Sequence, residues 1–319
     1  MGRVTDKSKR KTGGLATGVR QIMTGFSRRR KRAALRRERQ KFPMEKENLL
    51  HESQTLSVDK GCTQILTGSA ETGLYAYAGR SDQGARLEQQ DKILAVQKGK
   101  RFLAAVFDGM GGMEGGALAS ETAATVMKEM FQKRDIDDIR FFLNCFSQEA
   151  DKKVSMIKKD GKWLEAGTTV AAVMLEGNSL YWLSAGDSRI YLCRSGKMIC
   201  PVRDHNYRML LDEMLSSGKI DIEKYKVESS SPEAEGLIMY LGMGGIDGAQ
   251  INESPFRVLP GDRILLCSDG LYRTLSETQI QEILKTELPL TQKVSVLVQA
   301  ALEKGAHKQD NTSVILIEV

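Results

Sequence analysis

Apolar runs that end at an aspartate organise the hydrophobic pattern of this chain. Six consecutive apolar residues, 102–107, stop at Asp108, and glycine occupies three of the next four positions. A run of this length predicts a buried strand, and the glycines allow the backbone to turn sharply beside another group. A carboxylate at such a strand end must be paired or bound to a metal. A simple Asp-Gly turn between two strands is the alternative.

The same pattern recurs three times further along the chain. Two later apolar runs lead into Asp187 and Asp269, and Asp310 precedes the apolar run 312–317. Separate strand ends therefore each present one carboxylate. Hard cations such as Mg²⁺ and Mn²⁺ take oxygen ligands, often a few carboxylates with several waters. Because the chain has three histidines and no closely paired cysteines, a zinc site is poorly supported.

Apolar spacing and turn residues predict both strands and helices. Strands are predicted at 74–78, 93–96, 102–107, 169–175, 180–184, 190–193, 198–200, 257–267 and 312–319, and helices at 115–131, 137–158, 207–217 and 288–303, with another opening at Ser276. Turn signals between 169 and 200 predict a meander of antiparallel strands, and 257–267 predicts another strand pair. Helix pairs between groups of strands do not fit repeated βαβ units and indicate an α+β fold.

Short motifs stand at these turns in a fixed order. They are Gly84-Ala85-Arg86, Gln90-Asp91, Asp108-Gly109-Met110-Gly111-Gly112, Gly167-Thr168-Thr169, Gly186-Asp187-Ser188-Arg189, Ser268-Asp269-Gly270 and Asp310-Asn311. In order and spacing they resemble the metal-dependent serine/threonine protein phosphatases of the type 2C class, and Met110 before two glycines resembles the bacterial branch. The resemblance covers roughly residues 73–319. Any one motif would be weak, but the ordered set is specific.

The resemblance implies a fold and a set of site residues. The fold is a β-sandwich of two antiparallel sheets flanked by pairs of helices, with a flap insert near residues 204–245. Asp108 is expected to bridge two metals, with the Gly109 carbonyl as an adjacent ligand, and Asp269 and Asp310 to complete the ligands of the first metal. Asp91 is expected to act through water, and Asp187 to bind a third, weaker metal. Arg86 is expected to hold the substrate phosphate. Asp187 has the alternative role of a turn residue that pairs with Arg189.

The implied cofactors are two Mg²⁺ or Mn²⁺ ions per chain, with a third ion if Asp187 binds one. The metals lower the pKa of a water that attacks phosphoserine or phosphothreonine in proteins, in line with the leaving group. A serine/threonine kinase system is the implied partner. No cysteine lies in a phosphate-cradling loop, so a cysteine mechanism lacks its parts. Two positions depart from the family: Gln90 replaces a frequent Glu, and Met110 replaces the His of animal-type members.

Charge separates the start of the chain from the rest. Residues 1–42 hold fifteen Lys and Arg against Asp6 and Glu38, about +13, which leaves about −7 for the remainder of a chain of net charge +6. We expect residues 1–60 to be a basic, disordered tail and linker and 61–319 to be the phosphatase domain. Contact of the tail with acidic membrane or nucleic acid and a mitochondrial presequence remain open.

Compartment and function have alternatives at this stage. Five scattered cysteines predict reduced thiols in a cytoplasmic protein, associated with a membrane if the tail binds one. Besides a phosphatase, the chain could be a catalytically weak phosphoprotein-binding protein, a tail-driven binding module for an anionic surface, or an enzyme for small phosphate esters. The presence of Asp108, Asp269 and Asp310 argues against loss of catalysis.

Overall fold

The apolar runs of the sequence form the central strands of two antiparallel sheets. The computed structural model describes residues 62–69, 74–111 and 115–319. The described residues do not include the predicted tail and linker at 1–60 or Gly112. The contacts predicted for the tail therefore stay predictions. The strands are β1 Cys62–Ser69, β2 Ala76–Asp82, β3 Asp91–Lys98, β4 Arg101–Met110, β5 Lys158–Lys159, β6 Lys162–Trp163, β7 Gly167–Thr168, β8 Val170–Glu176, β9 Ser179–Ala185, β10 Arg189–Arg194, β11 Lys197–Ile199, β12 Gln250–Ile251, β13 Phe256–Arg257, β14 Arg263–Cys267 and β15 Thr312–Glu318.

Helices pack on the outer face of each sheet, and others lie in the segment between β11 and β12. They are α1 Gly115–Lys133, α2 Ile139–Ser155, α3 Tyr207–Ser216, α4 Ile222–Ser229, α5 Asp269–Tyr272, α6 Glu277–Lys285 and α7 Leu290–Gly305, with 3₁₀ turns at Pro232–Glu235 and Ala306–Lys308. Helix α2 starts where the Asp138 carboxylate accepts the Phe141 N–H. Helix α6 begins after Ser276 as predicted, and Ser276 forms a capping box with Gln279.

The two sheets stack face to face. One has the order β1-β2-β15-β14-β10-β11, and the other has the order β12-β9-β8-β4-β3 with β13 beside β9 and β7 beside β4. Alternate residues of β8 explain its continuous apolar run: Ala171, Val173 and Leu175 face the sandwich interior, whereas Val170 and Met174 face the layer of α1 and α2. A strand buried on both faces reads as uninterrupted apolar sequence. The predicted α+β sandwich with helix pairs is confirmed.

The predicted meander between residues 169 and 200 is wrong at one connection, from β9 to β10. Strand β9 pairs with β8, but β10 pairs with β11 and β14 in the other sheet. The chain changes sheets at Gly186, whose φ is +102° and whose added Cβ would lie 2.5 Å from Thr169 Cγ2. The strand pair predicted within 257–267 is also wrong, because β13 joins β9 and β14 joins β10 and β15. Apolar alternation identifies strands but does not specify their partners.

An insert of helices and turns, residues 204–245, connects the sheets between β11 and β12. A bridge between Asn206 and Leu237 closes its base. At its exit the buried Asp151 carboxylate of α2 accepts backbone N–H groups from Gly242, Gly244, Gly245 and Ile246 at 2.6–3.2 Å. No helix within the described ranges combines the length and apolar character needed to cross a bilayer.

Candidate active site

Five predicted aspartates meet at one end of the sandwich. Asp91 and Asp108 are register partners on β3 and β4, Asp269 opens α5 after β14, and Asp310 comes just before β15. Asp187 lies in the turn where the chain changes sheets. Burial raises the pKa of Asp108 well above its usual range, and the charges of the four other aspartates raise it further. The structure therefore brings together carboxylates from five separate segments.

The backbone of Asp108 is fixed by the neighbouring Gly-Thr-Thr segment. The Asp108 N–H donates to Thr169 Oγ1 at 3.0 Å. Its carbonyl accepts the Thr169 N–H at 2.8 Å and the Thr168 hydroxyl at 3.0 Å. The sequence motif was recognised without a role for its threonines, and these bonds supply one. They hold the strand end so that the Asp108 side chain has a defined position.

Gly109 is required by the close approach of two backbone segments. An added Cβ would lie 2.1 Å from the Gly116 carbonyl oxygen and 2.7 Å from that of Gln90, and the Gly109 N–H donates to Gln90 O at 3.1 Å. The start of α1 and the Gln90-Asp91 motif therefore pack directly on this residue. A side chain of any size would separate Asp91 from Asp108.

Asp91 is a buried member of the cluster. Its Oδ2 accepts the Ser268 hydroxyl at 2.7 Å, which ties β3 to the end of β14. Its Oδ1 is buried and receives no hydrogen bond from the described residues. Burial raises the pKa of Asp91 to about 7, against the hydrogen bonds from Ser268 and Ser313 that lower it. A buried carboxylate oxygen without a donor fits a cation or an ordered water beside it.

Arg273 holds two of the aspartates. Its Nε lies 2.8 Å from Asp269 Oδ2 and its Nη2 lies 2.9 Å from Asp187 Oδ2. Burial raises the pKa of Asp269 to about 6 and that of Asp187 above its usual value, while Arg273 opposes both shifts. Arg273 was missed by the sequence analysis.

The alternative partner predicted for Asp187 is wrong. Arg189 binds the carboxylate of Asp204 through two hydrogen bonds of 2.9 and 2.7 Å, and its guanidinium stacks 3.6 Å from the Tyr272 ring centroid. Arg189 already lies in β10, beside Asp204 and Tyr272. Asp187 lies in the turn before it and faces the end of α5. Nearness in sequence therefore did not identify the ion pair.

Arg86 reaches the edge of the cluster from an ordered loop. Its Nη2 lies 2.5 Å from Asp310 Oδ2, and its side chain is 59% exposed, open to a substrate. Asn311 holds the loop: its Nδ2 donates to Gln83 O and Glu88 O at 2.8 and 3.1 Å, and its Oδ1 accepts the Gln90 N–H at 2.9 Å. The Asp310-Asn311 motif was the signal for this role, which the sequence analysis did not assign.

The donor set fits a hard divalent cation. All five side chains offer oxygen ligands. The pKa of Asp91 is raised to about 7, that of Asp269 to about 6 and that of Asp108 well above its usual range, so a nearby positive charge would stabilise their ionised forms. In the part of the chain that the structure describes, no three His, Cys, Asp or Glu side chains already surround a common point as ligands. Arg86 and Arg273 instead engage Asp310, Asp187 and Asp269.

The two positions that depart from the family lie next to the cluster. Gln90 Nε2 donates to Glu88 Oε2 at 3.1 Å, and the Gln90 amide lies against Gly116, whose added Cβ would come within 2.6 Å of its Oε1. Met110 is half-buried and pairs in register with Gly167. Neither side chain carries a charge.

Comparisons with known proteins agree with this geometry. The family model described as protein phosphatase 2C matches residues 78–309. The chain is 30% identical to the serine/threonine phosphatase stp of Listeria innocua, over 69% of this chain and 86% of that protein. It is 28% identical to the protein phosphatase PhpP of Streptococcus pneumoniae, over 70% and 88%.

Solved structures show the same fold. The serine/threonine phosphatase of S. agalactiae matches with a TM-score of 0.68 and 25% identity, covering 77% of this chain and 99% of that one. The catalytic domain of the phosphatase PstP, in complex with two manganese ions, matches with a TM-score of 0.61 and 27% identity, covering 76% and 97%.

Proposed function

This chain belongs to the protein phosphatase 2C family, and we propose that it hydrolyses phosphoserine and phosphothreonine in proteins with divalent cations held by its aspartate cluster. The relatives named above are serine/threonine phosphatases. The observation that carries the proposal is the meeting of Asp91, Asp108, Asp187, Asp269 and Asp310 beside Arg86. Such a site places negative ligands for cations next to a positive group for phosphate.

The proposed ligand roles follow the family's motif positions. Asp108 would hold both of two Mg²⁺ or Mn²⁺ ions, with the Gly109 carbonyl as an adjacent ligand. Asp269 and Asp310 would complete the first ion, and Asp91 would act through water. Asp187 would hold a third, weaker ion. When bound, the cations supply a water of lowered pKa and neutralise charge at the phosphoryl group. The two manganese ions of the PstP structure support this count.

Arg86 would bind the phosphate by exchanging partners. Its planar guanidinium now donates to Asp310, and the same fork of donors suits two phosphate oxygens. Because Asn311 ties both ends of the Arg86 loop to the base of β15, the arginine stays at the edge of the cluster during this exchange. The residue therefore orients the phosphate without taking part in proton transfer.

Partners and domain limits follow as parts of the same proposal. Phosphoproteins are the substrates, and a serine/threonine kinase that forms them is the implied opposing enzyme. Residues 61–319 form the catalytic domain, with 204–245 as its flap, and 1–60 form a basic tail. Since the carboxylates named above are all present, a protein that only binds phosphoproteins without cleaving them is less well supported.

The test is phosphate release from a phosphothreonine peptide. We expect release with Mn²⁺, none with a chelator, and a loss of at least about 100-fold for Asp269→Asn, since metal and charge stabilisation are both weakened. Asp160→Asn is the matched control, because Asp160 is an exposed turn residue of the β5–β6 hairpin. A folded, Mn²⁺-loaded native chain that releases no phosphate would overturn the proposal.

A further inference from the structure

Arg273 connects the aspartate cluster to the 204–245 insert. Besides its contacts with Asp187 and Asp269, its Nη2 lies 3.8 Å from Glu235 Oε2 in the 3₁₀ turn of the insert. The other oxygen of Glu235 accepts hydrogen bonds from Arg208 of α3 at 2.5 and 3.2 Å. Ion pairs therefore run without interruption from α3 to the cluster.

The arginine uses the oxygens that a cation would need. It donates to Oδ2 of both Asp187 and Asp269, and the Asp187 side chain is only 6% exposed. A lone pair that accepts a hydrogen bond from a guanidinium is less available to a metal, and the positive charge repels a second cation nearby. Arg273 and a divalent ion at Asp187 are therefore competitors.

An alternative acceptor for Arg273 already stands beside it. The Nη2 atom that binds Asp187 is the same atom that lies 3.8 Å from Glu235 Oε2. A small rotation of the guanidinium would exchange one carboxylate for the other and keep the charge paired. Since Arg208 occupies Oε1 of Glu235, the Oε2 atom remains directed toward Arg273.

We propose that Arg273 is a positioning residue that takes the place of a weakly bound cation at Asp187, and that a divalent ion binds there only when Arg273 turns to Glu235. The inference rests on the proposed metal site. It adds a residue of this chain that sets how many ions are held, and it couples that number to the insert that carries Glu235. Two ions per chain are then the resting state, and the third depends on the position of the insert.

The test measures metal binding, not catalysis. Mn²⁺ is titrated into metal-free protein by calorimetry, and bound metal is counted by equilibrium dialysis. We expect Arg273→Ala to bind one more Mn²⁺ than the native chain, or to bind its weakest Mn²⁺ about tenfold more tightly, as expected for removal of an adjacent unit charge. Arg140→Ala, at an exposed position of α2, is the matched control and should bind as the native chain does.

A double variant separates this competition from a general change in charge. In Arg273→Ala/Asp187→Asn the gain should disappear, because the freed ligand is Asp187. A gain that persists in the double variant would place the extra ion elsewhere and overturn the inference. Equal number and affinity of Mn²⁺ in Arg273→Ala and the native chain would overturn it as well.

A second variant, expected to weaken Mn²⁺ binding, keeps the test decisive if Arg273→Ala does not fold. Glu235→Gln removes the charge of the alternative acceptor, so Arg273 stays on Asp187 and the weakest Mn²⁺ should bind several-fold less tightly. Unchanged binding in Glu235→Gln would count against the exchange. A native chain that binds no Mn²⁺ and releases no phosphate would instead overturn the proposed function. If the native chain releases phosphate normally and both variants bind Mn²⁺ as it does, this inference alone would be overturned.

Discussion

Asp91 and Asp108 stand directly opposite each other on neighbouring antiparallel strands. Like charges in this position destabilise a pair of strands. Burial adds to the cost because it removes water from the charged carboxylates, which raises the pKa of both. The fold therefore carries an unfavourable contact that positive charge would relieve. Such local conflicts are common where a protein binds a ligand.

Asp91→Asn should stabilise the metal-free protein and weaken its response to metal. The amide oxygen can still accept the Ser268 hydroxyl, while the repulsion of Asp108 is removed. We expect a gain of about 1 kcal/mol, or a Tm higher by about 2–4 °C in a domain of this size. Thermal unfolding with and without Mn²⁺ measures both effects. A lower Tm in the metal-free variant would contradict the prediction, and Asp160→Asn serves as the control.

Gly109→Ala should disrupt the site by steric conflict. The added Cβ would lie 2.1 Å from the Gly116 carbonyl oxygen, part of a backbone that cannot rotate away. We expect a loss of about 1–3 kcal/mol together with loss of Mn²⁺-dependent activity. The matched control is Gly115→Ala, whose Cβ would meet Ala166 Cβ at an acceptable 3.4 Å. Chemical denaturation measures the stability of both, and equal behaviour of the two variants would contradict the packing argument.

Asn311→Ala should act on Arg86 through the loop. The Asn311 side chain donates two hydrogen bonds to the segment from Gln83 to Gln90 and accepts a third from it. Their loss should lower kcat/KM on a phosphopeptide by on the order of 10- to 100-fold, because small displacements of a positioning group are costly. It should also weaken inhibition by inorganic phosphate while Mn²⁺ binding persists. Asn144→Ala, on the exposed side of α2, is the control. Unchanged inhibition by phosphate would show that the loop does not depend on Asn311.

Glu318→Gln should reduce stability in a manner that depends on pH. Burial alone would raise the pKa of Glu318, but hydrogen bonds from Arg263 at 2.7 Å and Lys293 at 3.0 Å outweigh it and lower the pKa. A lowered pKa stabilises the fold above the unfolded value of about 4.3, and this contribution is lost as pH falls through the folded value.

The variant should therefore be less stable than the native chain by about 1–2 kcal/mol near neutral pH. The difference should shrink on acidification below pH 4.3. Urea unfolding at several pH values measures it. Glu253→Gln, at an exposed loop position, should show no such trend, and a difference that stays constant with pH would disprove the assignment to this carboxylate.

The sequence predicted the sandwich best where strands are buried on both faces. The run 102–107 and strand β8 read as continuous apolar segments, so their existence and type were clear. Strand β1 was not predicted, because Thr63, Gln64 and Thr67 interrupt its apolar residues. In the fold the Gln64 side chain bonds the backbone of Ile93 on β3 of the other sheet, a long-range contact that has no local signal.

The candidate site was predicted from its motifs and not from its geometry. Asp108, Asp269 and Asp310 each follow or precede an apolar run, so the sequence pointed to them directly. Arg273 stands four residues after its partner Asp269, but this pair alone did not indicate a role at the site. Its other partners, Glu235 and Asp187, come from segments 38 and 86 residues away. Ion pairs between distant segments are set by the crossing of the sheets at Gly186, which local patterning did not predict.

The bridge between Asn206 and Leu237 has a further consequence for how this protein can change. Both ends of the segment between them are held by backbone contacts, while Ile222 and Val227 on its outer helix are 50% and 74% exposed. The segment is thus anchored at its base and exposed on its outer helix. We expect the length and outer residues of the segment between Asn206 and Leu237 to tolerate exchange, provided that Glu235 is kept to receive Arg273.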